Sequence, residues 1–76
     1  LFVIVRSRAG VLFEGPAASV SALNDRGQFD ILPKHENFIS IIRQKITIRS
    51  EEIRELLLKI GVLKVRENRV EIYIGF

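Results

Sequence analysis

The sequence predicts an all-β domain, on three observations. Most of its segments alternate apolar and polar residues with period two, the pattern of a strand with one buried face. Arg66-Glu67-Asn68-Arg69 separates two such segments, and Asn tolerates the left-handed backbone of a two-residue hairpin turn. The third observation is size. A chain of 76 residues makes one domain at most and has a marginal core, yet with no Cys and one His it has neither disulfides nor a metal site to support it. Tight all-β or α+β packing, or a partner covering part of the surface, remains.

The elements follow in order. Leu1–Val5 is the longest apolar run, with Val3 and Val5 on one face and Phe2, Ile4 and Arg6 on the other. Val11 and Phe13 oppose Leu12 and Glu14, and Gly15-Pro16 ends that strand. Val20 and Ala22 then alternate with Ser19 and Ser21. In "GQFDILPKHENFISII", Pro33 stops a ladder because it has no amide donor, and Leu32 before it is held extended. Lys34–Asn37 turn the chain, and Phe38-Ile39 and Ile41-Ile42 return it to the core. Towards the end, Leu63 and Val65 alternate with Lys64 and Arg66, and Val70, Ile72 and Ile74 with Glu71 and Tyr73.

One segment reads two ways. Ile53, Leu56, Leu57 and Ile60 have helical spacing, with Ser50 as a possible cap. A hairpin turning at Ser50-Glu51-Glu52 would instead pair Ile46–Arg49 with Ile53–Leu58. Local pattern leaves both open.

Several function classes recede. Leu1–Val5 falls far short of the roughly 20 residues that cross a bilayer, and no basic segment precedes it as in a signal peptide. A soluble, cytoplasmic chain without direct membrane insertion is the expectation. The twelve Lys/Arg and nine Asp/Glu are scattered singly rather than gathered in a basic stripe, so no nucleic-acid partner is expected. His35 has Glu36 beside it and Asp30 five residues back, but neighbours on an extended chain point to opposite sides. A corner histidine bonded to backbone groups is the simpler reading. No metal ligand set, phosphate-binding glycine loop or nucleophile motif is present, so no cofactor and no catalysis are expected.

Taken together, "VLFEG", "ASVSAL", "NDRG", "QFDILPKHENFISII" and "IGVLKVRENRVEIYI" resemble, in order and separation, the N-terminal β-sandwich of the F-type ATP synthase epsilon subunit (delta in mitochondria). That family carries "V-x-F-x-G", then "G-E-F-G-I-L-P-G-H-A-P-L", then "G-G-F-V-E-V-x-x-N-x-V-x-V". The resemblance spans nearly all of residues 1–76 as one domain. It implies a flattened sandwich of two antiparallel sheets, with Ile53–Leu58 as a strand. It departs from the family at Asp30, Lys34 and Glu36-Asn37, where Gly, Gly and Ala-Pro are common, and at Lys59-Ile60-Gly61, where Ser-Gly-Gly is usual. Nothing in these residues matches the family's C-terminal helical hairpin, which carries its inhibitory and ATP-sensing behaviour.

The resemblance implies a non-catalytic rotor subunit that links the gamma subunit to the polar loops of the c-ring. Its place is the cytoplasmic face of an energy-transducing membrane, and it couples ion translocation to ATP synthesis. Asp25, Arg26, Gly27, Gln28 and Phe29 match the loop on the c-ring side, with Gln28 where Glu is frequent. His35 and Phe38 match the corner near gamma. To these the alternation adds Phe2 and Ile4, expected to point outward as an apolar contact pair that Asp could replace without unfolding the chain. The competing expectation is a free-standing β-sandwich interaction module that binds an acidic protein or a nucleic acid.

Overall fold

In the computed structural model, which describes residues 1–75, the disputed Ile53–Ile60 segment is strand. Seven strands are formed: β1 Phe2–Ser7, β2 Gly10–Pro16, β3 Ser19–Asn24, β4 Gly27–Ile31, β5 Phe38–Arg49, β6 Ile53–Arg66 and β7 Arg69–Gly75. They hydrogen-bond in the order β2-β1-β7-β6-β5-β3-β4. Phe76, the last residue of the expected domain, lies outside the described residues. No helix long and apolar enough to cross a membrane occurs among the described residues.

The two expected sheets are the two halves of this one sheet, folded over where the long strands β5 and β6 bend. Ile42 pairs with Gly61 but Gln44 pairs with Leu58, so β6 holds one more residue than β5 across the bend. This β-bulge bends the pair and reverses which residues of β6 face inward. Before it Leu56 and Leu58 are inward, and after it Gly61, Leu63 and Val65 are buried. The helical spacing of Ile53, Leu56, Leu57 and Ile60 thus has a β explanation. Apolar residues occupy both faces of the strand, and its phase slips by one residue.

Folding the sheet brings its inward faces into one core. Val3, Val5, Ile72 and Leu63 from one half pack in the same cluster as Val20, Ile31, Ile46 and Ile48 from the other. The Arg54 guanidinium carbon on β6 lies 5.7 Å from the ring centroid of Phe13 on β2, a cation–π contact between strands that are not hydrogen-bonded neighbours. Pairing is antiparallel throughout except between β1 and β7, which run parallel.

Turn chemistry matches the sequence closely. Glu67 and Asn68 both take positive φ (51° and 62°), as a two-residue hairpin loop requires, and Arg66 pairs with Arg69 across it. At the β5–β6 turn, Ser50 donates from both its backbone N–H and its hydroxyl to the Glu52 carbonyl. At the corner, the His35 N–H donates to the Leu32 carbonyl at 3.1 Å, with Lys34 at φ 64°. Pro followed by a positive-φ residue inside a four-residue turn is the type II arrangement, in which the third position favours Gly. Lys34 occupies that position at a steric cost. Lys34→Gly is expected to raise the unfolding free energy by about 0.5–1 kcal/mol, the relieved left-handed strain outweighing the added unfolded-state entropy. A higher urea midpoint at unchanged slope would be the signature.

Candidate docking surfaces

Strand register, rather than any one segment, builds the most distinctive surface. On the outward face of the first half-sheet, Ile41, Val62, Tyr73 and Arg6 stand opposite one another across β5, β6, β7 and β1. The neighbouring row is Ile39, Lys64, Glu71 and Ile4. Opposed side chains on one face lie about 4.5–5.5 Å apart at Cβ, so Ile41, Val62 and Tyr73 form a continuous apolar bar. They are 56%, 43% and 55% exposed, and Ile39 extends the bar at 67%. Ile4 floors a shallow depression of about 220 Å³, walled by Val62, Tyr73, Arg6, Lys64 and Glu71. An apolar centre with a charged rim is the anatomy of a protein-docking face.

This geometry corrects the expectation for Phe2 and Ile4. Both belong to the outer face by register, but Ile4 is only 3% exposed, hidden among its cross-strand neighbours. Phe2 is half-buried under Arg69, whose guanidinium lies 5.3 Å from the ring centroid. Asp at Ile4 would bury a carboxylate, so that substitution would disturb the fold as well as any contact. The exposed apolar residues of this face lie one to three strands away, on β7, β6 and β5, at positions that the alternation of β1 alone does not reveal.

The corner carries His35 and Phe38. Lys34 donates its backbone N–H to Asn68 Oδ1 at 3.0 Å, and Glu67 donates to Asn37 Oδ1, so the corner is bound to the β6–β7 turn. His35 Nδ1 is 2.8 Å from the Glu36 carbonyl oxygen; because a carbonyl only accepts, Nδ1 carries the proton and donates. The ring also meets Phe38 edge-on at 5.8 Å. His35 is thus the expected corner histidine, bonded to backbone. Phe38 is half-buried against the core and stacks edge-on with Phe29 at 5.4 Å.

Of the five residues matched to the c-ring side, the structure gathers Asp25, Arg26 and Gly27 at the exposed tip of the β3–β4 hairpin. Asn24 Oδ1 accepts from the Arg26 N–H at 2.9 Å, and Gly27 takes φ +116°, which glycine reaches without strain. Gln28 is exposed beside the tip, whereas Phe29 turns inward and packs against the core. Phe29 therefore supports the hairpin from beneath. Asp25 also borders Ile41 and Arg43, so the hairpin tip adjoins one end of the apolar bar. Among the described residues no group of three or more His, Cys, Asp or Glu is placed to hold a metal ion.

These surfaces define a β-sandwich whose exposed chemistry is suited to docking other proteins. The sequence matches the family model for the ATP synthase delta/epsilon chain β-sandwich domain over residues 1–74, and the chain belongs to that family. Solved structures share its fold, two of them as follows. One is a chain of the Tetrahymena thermophila mitochondrial ATP synthase central stalk and c-ring, with a TM-score of 0.87 at 15% identity, covering 99% of this chain and 63% of that one. The other is a chain of the Euglena gracilis mitochondrial ATP synthase, OSCP/F1/c-ring, with a TM-score of 0.87 at 14% identity, covering 95% of this chain and 48% of that one. The chain thus spans less than two thirds of either relative's length. No curated protein matches the sequence.

Proposed function

We propose that the chain is a central-stalk rotor subunit that binds the gamma subunit through the Ile39–Ile41–Val62–Tyr73 face and the c-ring through the Asp25–Gly27 tip. It does no chemistry itself. Ion-driven rotation of the ring passes through it to gamma. The observation that carries this reading is the family match over residues 1–74, on a sandwich that exposes an apolar bar beside a charged hairpin tip.

The surfaces suit their assigned partners. An apolar bar ringed by Arg6 and Lys64 offers the desolvated centre and polar rim of a lasting protein contact. Asp25 and Arg26 carry opposite charges on a tight, self-bonded turn, suited to the polar loops of a ring. A ladder that joins all seven strands ties the two surfaces together, so load applied at one is spread over many hydrogen bonds.

Capture of the tagged chain from detergent-solubilised membranes of its own cells, with mass spectrometry of the bound proteins, tests the reading. Recovery of gamma and c subunits is the expected result. Recovery of nucleic acid or of soluble acidic proteins, with neither subunit, would favour a free-standing interaction module.

A further inference from the structure

Three strands of the second half-sheet are tied together on their outward face by side chains that the family resemblance does not account for. Ser21 on β3 stands in register between Asp30 on β4 and Thr47 on β5. Its hydroxyl donates to Asp30 Oδ1 at 2.6 Å and accepts from Arg49 Nη1 at 2.5 Å. The direction is fixed by chemistry, since a guanidinium only donates and an ionised carboxylate only accepts. Ser21 is 5% exposed, Arg49 is half-buried and Asp30 is exposed, so the chain of bonds is buried at its centre and open to water at its Asp30 end.

We infer that Asp30, Ser21 and Arg49 form a positioning relay that holds edge strand β4, and with it the Asn24–Gly27 turn, in register on the sheet. β4 is five residues long and, among the described residues, is hydrogen-bonded on one side only, to β3. Such an edge is the part of a sheet most prone to open locally. A charge-assisted pair that reaches across β3 to β5 anchors β4 to an interior strand rather than to its neighbour alone. Gly, common in the family at the position of Asp30, has no carboxylate to offer, so the relay is a feature of this chain. The relay itself rests on geometry alone; only its consequence for c-ring binding rests on the proposed function.

Amide hydrogen exchange on the intact chain tests it, with Asp30→Ala, Ser21→Ala and the double variant compared against the original. Each single change is expected to speed exchange of the Gly27–Ile31 amides that bond to β3 by about five- to tenfold, while β1 and β7 amides keep their protection. The double variant should be no faster than either single one, because both changes break the same chain of bonds. Asp30→Asn keeps an acceptor without the charge and should fall between. Unchanged β4 protection, effects that multiply, or an acceleration spread evenly over β1 and β7 would overturn the relay. If Ser21→Ala does not fold, the contrast of Asp30→Ala with Asp30→Asn makes the same discrimination. Should β4 loosen while the c-ring retains the variant as tightly as before, the relay stands and the assignment of the turn to the ring falls.

Discussion

Replacing Ile41 and Val62 together by Asp is expected to weaken association with the gamma subunit by at least about 100-fold while the chain remains folded. The two residues face each other across β5 and β6 at the centre of the outer face. Both are largely exposed and outside the buried cluster, so their loss removes little from the core. Asp is disfavoured in strands, which sets the folding cost at about 1 kcal/mol or less per site. Two carboxylates in the middle of a desolvated contact would cost far more, since each must lose its hydration without a partner. Ile53→Asp with Leu57→Asp is the matched control. Those residues are even more exposed, at 71% and 80%, and lie on the outward face of β6 before the bulge. The control is expected to keep gamma bound, as read by co-purification alongside urea melts of both variants.

Gly61→Ala is expected to lower the unfolding free energy by about 2–3 kcal/mol, as overpacking of a filled site does. Gly61 sits at the bend, opposite Ile42 on one side and Ile74 on the other. A methyl group there would come within 2.8 Å of the Tyr73 carbonyl oxygen and 2.9 Å of a Leu58 methyl. The Leu58 side chain can rotate away, but the carbonyl belongs to the β7 backbone and moves only with the ladder. Domains of this size have stabilities of roughly 4–11 kcal/mol, so the loss is a large fraction of the total. Gly75→Ala is the control, because its nearest neighbour would be the Ile60 carbonyl at an ordinary 3.7 Å. It should shift stability by no more than about 0.5 kcal/mol. A Gly61→Ala urea midpoint equal to the original would show that the bend has room to spare.

These two sites also mark the limit of what the sequence reveals. Strands with one clean alternation, such as Leu63–Arg66 and Val70–Ile74, were legible because neighbouring residues report their own burial. So were the Glu67-Asn68 turn and the Pro33 corner, whose backbone demands are local. The bulge in β6 was not, since a one-residue slip in an apolar strand imitates a helix at Ile53, Leu56, Leu57 and Ile60. Family resemblance resolved that segment where pattern could not. The apolar bar was hidden for another reason. Ile41, Val62 and Tyr73 come from three strands and become neighbours only through register. Each could be found singly, as an apolar residue on the side of a strand opposite its core face, but not as a surface. The same register buries Ile4, which alternation alone placed in solvent. Asp30 stands out in the sequence as a departure from the family, while its bond to Ser21 depends on the pairing of β3 with β4.

As proposed above, one small sandwich touches two different partners through two defined surfaces. Because residues 1–76 contain no Cys, a thiol introduced there and labelled before the chain is reassembled into the complex reports one position. The direct measurement is cross-linking in the intact membrane complex, using a thiol-directed photoreactive group on Arg26→Cys or on Tyr73→Cys, with the products identified by mass spectrometry. Position 26 is expected to link to the c subunit and position 73 to gamma. Links from position 26 to gamma and from position 73 to c, or from neither position to either subunit, would contradict the proposal.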